Sequence, residues 1–349
     1  MDNSSLAITE VVQDEGEYLS KTWDSALFWL NAVVVPLLGC VGFVFNIFGI
    51  LTLSYMGITS SSTMYMLIIC IGDIISGFVD SILTVGIGNW YTNLYALSRF
   101  SCKFLMWINY ATTCSTQFVL TLFTFDRLLA VTYPMKYRSL KTNLRYPVIC
   151  SAVVVTLTYL SLIGNMYAFD LVDGQCAKPT YMSELGKEIY FHYSASFIYC
   201  GLPSTLIFIF NFTILYQMRK NDKNKKSSST KSGREQAITR ILLLMSFAFL
   251  LFTAGCMFFL YTSVIYLGPQ LDGGDPWVGQ MYVAMAQLQE LPSTANVSFN
   301  FSFYLMGSKM FRKGFLDMLQ SYFCCRKAGR QAEMTRTGAS SNNNINADM

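Results

Sequence analysis

Charged residues are scarce in this 349-residue chain. They make up 13% of the sequence, whereas hydrophobic residues make up 53% and the mean hydropathy is +0.38. The few charges are clustered between long apolar runs instead of being spread along the chain. Because soluble globular domains carry about a quarter charged residues, this composition excludes a soluble protein.

Histidine is almost absent, since His192 is the only one. The sequence also has no Ser-His-Asp arrangement, no metal-ligand spacing and no phosphate-binding loop, so we expect no enzymatic activity. We expect His192, near the outer end of an apolar run, to line a pocket or an interface. The rival from another class is a membrane transporter or channel. Its inverted repeats or matching broken helices are not visible in this sequence.

Seven apolar runs are each long enough to cross a bilayer, which takes about 20 residues. As helices they satisfy all of their own backbone polar groups, as the hydrocarbon interior requires. The runs are Ala26–Ser54, Met64–Gly88, Phe104–Val131, Tyr146–Phe169, Ile189–Tyr216, Ile241–Leu267 and Val278–Met306. The sequence therefore predicts an all-α membrane protein, a seven-transmembrane helix bundle.

The distribution of lysine and arginine predicts the orientation of the bundle. The connections after runs three and five and the segment after run seven are basic, whereas the N-terminal segment and the connections after runs four and six are acidic. By the positive-inside rule the N-terminus is extracellular and the C-terminus cytoplasmic, in a plasma-membrane protein. The net charge of +4 reflects loops that face anionic lipid, so we expect no nucleic-acid partner.

We divide the chain into an extracellular tail (1–25), a transmembrane domain (26–308), a short amphipathic cytoplasmic eighth helix (309–323) and a disordered cytoplasmic tail (324–349). Asn3 begins a glycosylation sequon in the extracellular tail. The eighth helix has an apolar face and a basic face, as a helix lying in the membrane interface needs. The apolar face consists of Phe311, Phe315, Leu316 and Leu319, and the basic face of Lys309, Arg312 and Lys313. Cys324 and Cys325 follow that helix and predict palmitoylation.

The ten cysteines are too scattered for a disulfide framework. Only Cys102 and Cys176 fall on the oxidising outer side, one at the head of run three and one in the loop after run four. We expect these two to be bridged, because two free thiols are disfavoured in that compartment.

Polar marks recur along the runs in a fixed order, and together they resemble a rhodopsin-like (class A) G-protein-coupled receptor. The marks are Asn46 in run one, Asp73 in run two, Cys102 and Asp126-Arg127 bounding run three, Pro203 in run five, and Asn300 with Tyr304 in run seven. The resemblance extends from about Ala26 to Cys325.

The resemblance places Asp73 in the middle of the membrane beside other polar residues. An unpaired carboxylate is costly at that depth. The resemblance implies a sodium ion and waters that stabilise a resting state, and this sodium is the one cofactor we expect. The alternative is a protonated Asp73 with plain interhelical hydrogen bonds. The implied sodium and water network consists of Asp73, Asn46, Thr116, Asn296 and Asn300.

Arg127 is the activation switch that the resemblance implies. In the family this arginine is held by the preceding acid, here Asp126, and is released on activation to face a heterotrimeric G protein. Asn211 and Tyr304 match positions that move toward it. The alternative is an arginine that extends from the membrane interface to lipid phosphate.

Two acids near the outer mouth, Asp80 and Glu290, indicate a ligand with a cationic group. The alternatives are that they pair with Arg99 or Lys103, or accept hydrogen bonds from neighbouring side chains. The other expected ligand contacts are Asn109, Tyr110, Thr113 and His192. By the family's spacing, Asn109 replaces the acid of monoamine receptors and Thr294 the lysine of opsins, which disfavours both ligand classes.

Several residues depart from the family pattern. Thr253 and Gly255 stand where tryptophan and proline are usual, and Phe301 replaces the proline before Tyr304. Together with Asn211, the Asn300-Phe301-x-x-Tyr304 sequence is similar to FMRFamide-type invertebrate peptide receptors. The resemblance implies a receptor for a short extracellular peptide that couples to a heterotrimeric G protein in a lipid membrane. A small-molecule or chemosensory receptor of the same fold is the remaining alternative.

Overall fold

A computed structural model describes residues 25–141, 144–172, 174–177, 200–224, 232–267, 270 and 275–322. Its long helices are α1 (Ser25–Met56), α2 (Ser61–Trp90), α3 (Arg99–Thr132), α4 (Arg145–Ala168), α5 (Leu202–Asn224) and α6 (Ser232–Tyr261). Helix α7 has three pieces, Pro276–Leu288, Glu290–Ser298 and Asn300–Gly307, and α8 covers 309–322. A short helix, Pro134–Lys141, follows α3.

Five helices within the described ranges are long and apolar enough to cross a membrane: α1, α2, α3, α4 and the Ile238–Tyr261 part of α6. Helix α5 carries Asn211, Gln217 and Arg219, which lower its mean hydropathy. None of the three pieces of α7 is as long as a membrane span. With α5 and the assembled α7, the helices correspond to the seven predicted runs.

Two helices begin several residues before their apolar runs, because polar residues cap their N-termini. Ser60 and Thr63 form a capping box at the start of α2, and the Ser98 side chain accepts a hydrogen bond from the backbone N–H of Ser101 at the start of α3. Such caps satisfy backbone donors that have no partner within the helix. The predicted starts at Met64 and Phe104 were therefore several residues late.

Helix α3 lies at the centre of the bundle, where it packs against α2, α4 and α5. In the most apolar stretch of α3, 56% of residues are buried inside the protein, against 22% in α4. The largest core cluster lies toward the Asp126 end of α3 and includes Phe123, Leu242 and Tyr304. Outward-facing apolar residues such as Leu37 and Phe247 remain exposed, as expected of surfaces that face lipid.

Two short strands cap the opposite end of α3. Strands β1 (Asp170–Val172) and β2 (Gln175–Ala177) pair antiparallel, and Gly174 between them has a φ of 76°, which glycine adopts without steric cost. Cys176 of β2 is disulfide-bonded to Cys102, as the sequence predicted, with the two Cα atoms 5.4 Å apart. We call this the disulfide end of the bundle and the other the Asp126 end.

Asp170 of the hairpin forms ion pairs with α3 next to the disulfide. Its carboxylate lies 3.5 Å from Lys103 Nζ and 3.7 Å from Arg99 Nε. The Leu171 N–H, then the charges of Lys103 and Arg99, hold the pKa of the Asp170 carboxyl below its usual range. Arg99 and Lys103 therefore pair with Asp170, and the proposed alternative that they neutralise Asp80 or Glu290 is wrong.

Helix α7 is interrupted twice. Pro292 has no backbone N–H and its ring crowds the carbonyl four residues earlier, which explains the break at Gln289. The second break, at Phe299, contains no proline, and the Phe299 ring stacks 6.4 Å from the ring of Phe252 in α6. Helix α6 runs without a break through Gly255, which faces the ring of Pro292.

Phe301, which replaces the family's proline, is the centre of an aromatic cluster joining α1, α7 and α8. Its ring centroid lies between 5.2 and 6.2 Å from those of Phe45, Phe48, Phe311 and Phe315. On α8 the buried face contains Phe311 and Met318, whereas Leu316 is 56% exposed. A helix is present where the sequence predicted the amphipathic eighth helix, and its exposed Leu316 is open to contact with the membrane interface.

Candidate ligand and activation sites

Asp126 and Arg127 form a buried ion pair at the end of α3. Arg127 Nη2 lies 2.7 Å and Arg127 Nε 3.2 Å from Asp126 Oδ2. Both residues are only 1% exposed. Arg127 therefore does not extend to the lipid surface in this structure, and its charge is compensated inside the protein.

Tyr137 and Ser61 complete this site, and the sequence did not predict either of them. The Tyr137 hydroxyl donates to Asp126 Oδ2 at 2.7 Å, accepts from Arg127 Nη2, and lies 2.7 Å from Ser61 Oγ. Ser61 also donates to both oxygens of Asp126 at 3.3 Å. We call these four residues the arginine lock, which joins α2, α3 and the short helix.

Burial favours the neutral form of the Tyr137 hydroxyl. Desolvation, the largest effect, raises the pKa of Tyr137 above its ordinary value, although the charge of Arg127 acts in the opposite direction. The protonated phenol can then donate to Asp126. A tyrosine within the basic segment that contains Lys136 and Arg138 is the one sequence signal that could have indicated this contact.

Tyr304 and Asn211 are both buried, on α7 and α5. The Cys70 thiol donates to the Tyr304 hydroxyl at 3.8 Å, and the Tyr304 ring packs 5.4 Å from that of Phe311. Asn211 Oδ1 has no hydrogen-bond partner within the described part of the chain. Tyr304 is thus held by α2 and α8, and Asn211 has an acceptor free for another arrangement.

Asp73 is buried between α2 and α7, where Asn300 Nδ2 donates to its carboxylate. Asn46 donates to the backbone oxygens of Gly42 and Val297, at 3.0 and 2.9 Å, and its Oδ1 is buried with no hydrogen-bond partner in the described residues. Thr116 packs closely on α2, since a Cβ at Gly72 would lie 2.5 Å from Thr116 Cγ2.

The chemistry of these residues suits a small hard cation, since they include a carboxylate, a hydroxyl and an amide oxygen without a partner among the described residues. Asn296 is partly buried and, within the described residues, makes no hydrogen bond to Asp73. The Asn300 contact serves an ionised or a protonated Asp73 equally well. Both sequence-based alternatives for this site therefore remain open.

Asp80 of α2 and Glu290 of α7 lie near the disulfide end, close enough for their charges to interact. Asn109 of α3 donates to Asp80 Oδ1 at 2.9 Å and to the Tyr95 hydroxyl at 3.3 Å. Neither acid forms an ion pair within the described residues. We call Asp80 and Glu290 the acid pair.

Tyr95, which the sequence did not predict, covers the acid pair from the segment between α2 and α3. Burial raises its pKa to about 12, so its hydroxyl is neutral at physiological pH. Tyr110 of α3 also lies within electrostatic range of both acids, and it is 44% exposed. The neutral polar side chains of Asn109, Tyr95 and Tyr110 therefore lie near the two acidic groups.

Of the remaining predicted ligand contacts, Thr113 lies deeper in α3, with its hydroxyl 3.1 Å from Ser76 Oγ. His192, the Asn3 glycosylation sequon, and the proposed palmitoylation sites Cys324 and Cys325 lie outside the described residues.

Comparisons with known proteins place the chain in a family. The model of the 7 transmembrane receptor (rhodopsin family) matches residues 30–290. The FMRFamide receptor of Drosophila melanogaster is 22% identical over 348 residues, covering 91% of this chain and 58% of that protein. The chain thus spans less than two thirds of that relative's length. It belongs to the rhodopsin family of 7 transmembrane receptors, and is a multi-pass integral membrane receptor, not an enzyme.

Proposed function

We propose that this receptor binds a short extracellular peptide with a basic group and activates a heterotrimeric G protein. The observation that carries the proposal is the acid pair, two carboxylates within electrostatic range of each other and without a cation among the described residues. Two ionised carboxylates repel each other in a partly buried site, and a cation between them removes that repulsion. A guanidinium offers parallel donors that match a carboxylate.

The relative's name supports a peptide as the ligand. The FMRFamide receptor is named for a peptide, and its resemblance to this chain covers most of the present sequence. Coupling to a G protein is general to the rhodopsin family. The disulfide end would face outward, with the N-terminus extracellular, as the distribution of basic residues in the connections favours.

The arginine lock would hold the resting state. Arg127 is compensated by Asp126 and Tyr137 inside the bundle, so its release requires an alternative partner. Removing one partner of a buried ion pair costs about 3–5 kcal/mol, and this cost keeps the inactive arrangement populated. A ligand that draws α2, α3 and α7 together at the acid pair acts on α2 and α3, which also carry the lock.

If Asp73 holds sodium, the bound ion would further stabilise the resting state. Asp73, Asn46 and Thr116 would be the oxygen ligands, with Asn296 and Asn300 completing the network of waters. When bound, the ion supplies a positive charge that neutralises a mid-membrane carboxylate. The partnerless Asn46 Oδ1 supports this proposal, because a buried acceptor without a donor is costly.

A peptide library screened against cells that express the full chain with a calcium or cAMP reporter tests the proposal. We expect responses to peptides that carry arginine or lysine, and none when that residue is replaced by a neutral isostere. Small amines serve as the comparison set. A receptor that responds to small neutral molecules and to no peptide would contradict the proposed ligand class.

A further inference from the structure

The acid pair lies where a polar contact joins α2 and α7. The hydroxyl oxygens of Ser81 and Thr294 lie 2.9 Å apart, and both side chains are fully buried. Ser81 follows Asp80 directly in α2, and Thr294 lies four residues after Glu290, on the same face of α7. This contact keeps the two helix segments that carry the acids close together.

Amide groups, and no cation, contact the acid pair within the described residues. Asn109 Nδ2 donates to Asp80 Oδ1 at 2.9 Å, and the side chain of Gln289 donates to Glu290. The ion pairs at this end of the bundle are those of Asp170 in the hairpin. A neutral amide carries no net charge, so the repulsion between the two carboxylates is not removed by these contacts.

A proton can relieve this repulsion when no cation is present. Asp80 and Glu290 are both partly buried, and the repulsion between like charges grows as water is excluded from between them. Two carboxylates that share one site therefore favour the uptake of a proton by one of them. Because the two acids titrate together, this proton belongs to the pair and not to either residue.

The other titratable groups around the acid pair are phenols and thiols. Tyr95 of the segment between α2 and α3, Tyr110 of α3 and Cys256 of α6 lie within electrostatic range of both acids. The thiols of Cys114 and Cys200 are the next titratable groups. Helix α1 carries no charged side chain. Phenols and thiols ordinarily lose their protons at about pH 8.5 or above, so among the described residues the acid pair is the group that changes charge near neutral pH.

We propose that the acid pair of the unliganded receptor holds one proton and releases it to water when the basic group of the ligand binds. This inference rests on the proposed function and adds regulation of the same site by extracellular pH. The ligand's cation replaces the proton between the two carboxylates, so the charge of the site is the same before and after binding. Protons and ligand therefore compete, and acidic surroundings weaken the response.

The affinities of two matched peptides, measured across pH on membranes that carry the full receptor, test the inference. The probes are the tetrapeptide Phe-Met-Arg-Phe with both ends blocked and the same peptide with citrulline in place of arginine, so the guanidinium is their only charge. Release of one proton raises affinity at most tenfold per pH unit, so the arginine-to-citrulline affinity ratio should rise about tenfold or more from about pH 6 to about pH 8. A ratio that exceeds one but does not change with pH would overturn the inference and leave the proposed function intact.

Four variants locate the proton in the acid pair. Glu290→Gln and Asp80→Asn each leave a single acid, and the change of the ratio over the same pH range should fall below about twofold. Asp170→Asn is the matched control, since Asp170 is an acid of the same end that is already paired with cations, and it should keep the full change. His192→Gln should also keep it, although a histidine ordinarily titrates at about pH 6.5. A change that survives both acid-pair variants, or that His192→Gln removes, would overturn the inference.

Infrared spectroscopy of the purified, unliganded receptor detects the proton without any peptide. The carbonyl band of protonated carboxyl groups should weaken as the pH rises, and this titrating component should be missing from Glu290→Gln and Asp80→Asn. Identical titrations of wild type and both variants would overturn the inference, whichever peptides bind. A receptor that binds neither peptide at any pH would overturn the proposed function and with it the release of the proton by ligand, while the spectra still decide whether the pair holds a proton.

Discussion

The two ends of the bundle differ in whether their buried charges are compensated by charges of opposite sign. At the Asp126 end the positive charge of Arg127 is enclosed by Asp126, Tyr137 and Ser61, within a network of short contacts. At the disulfide end Asp80 and Glu290 lie within electrostatic range of each other, with neutral neighbours and no cation among the described residues. The charges at one end are compensated within the described residues, whereas the two acids at the other end have no cation among those residues.

This difference is what a ligand-operated receptor needs. A site that is already satisfied resists change, because breaking it leaves a buried charge uncompensated. A site that is unsatisfied gains stability when a complementary group arrives. Helices α2 and α3 contribute to both sites, so the two ends share the elements through which a change at one can shift the other.

The largest expected effect comes from removing a charge of the acid pair at the disulfide end. Glu290→Gln removes one acid from the acid pair, and loss of one partner from a desolvated charge pair costs about 2–5 kcal/mol. The potency of a basic agonist should fall tenfold or more, with surface expression unchanged. Asp80→Asn should act similarly, since no ion pair with Arg99 or Lys103 screens it.

Asp170→Asn is the control for charge at the same end, because Asp170 forms ion pairs with Arg99 and Lys103 and is not a member of the acid pair. It should change potency less than threefold. If Glu290→Gln leaves the potency of a basic agonist unaltered, the acids belong to helix packing and the contrast between the two ends is wrong.

The disulfide is expected to have the next largest effect, on stability. Cys102→Ser or Cys176→Ser opens a loop with a sequence separation of 74 residues. Such a bridge contributes about 2–4 kcal/mol. The thermal midpoint of the purified receptor should fall for either variant, whereas Cys40→Ser, at an exposed free cysteine, should leave it unchanged.

Sodium should act at the site between the two ends. Because linkage is reciprocal, a cation that stabilises the resting state weakens agonist binding, by about 5-fold to 150-fold for a typical coupling. Asp73→Asn should abolish that dependence on sodium chloride, measured against choline chloride at equal ionic strength. Sodium sensitivity that survives in this variant would favour a protonated Asp73 with plain hydrogen bonds.

The smallest expected effect comes from weakening the arginine lock at the Asp126 end. Tyr137→Phe removes a hydroxyl that contacts Asp126, Arg127 and Ser61, which costs about 1 kcal/mol or more. Basal nucleotide exchange on the G protein should rise about fivefold, since 1.4 kcal/mol corresponds to a factor of ten. Tyr133→Phe, at a 55% exposed tyrosine near the same short helix, should leave basal exchange unchanged.

Local patterns were enough to predict much of this contrast. The apolar runs predicted the membrane helices, and isolated polar residues in those runs indicated Asp73, Asp80, Asp126, Arg127 and Glu290. A charge at membrane depth is costly, so each one is conspicuous against an apolar background. The cysteine pair was predictable because only two cysteines fall in the part of the chain that the charge pattern assigns to the outer side.

Contacts between distant elements were not predictable from such patterns. Tyr137 lies in an ordinary basic connection, and its role depends on a fold that brings it to Asp126 and Ser61. In the sequence, Phe301 is noticeable only because it replaces a proline that is usual in the family. In the structure it is the centre of an aromatic cluster.

The most direct test of the account is a cycle of two receptors and two peptides in a nucleotide-exchange assay with purified G protein. The peptides differ only by citrulline, the uncharged isostere of arginine, and the receptors only by Glu290→Gln. We predict that wild type prefers the arginine peptide at least tenfold and that this preference falls to about twofold or less in the variant. An arginine preference that persists undiminished in Glu290→Gln would contradict the claim that the acid pair recognises the ligand's charge.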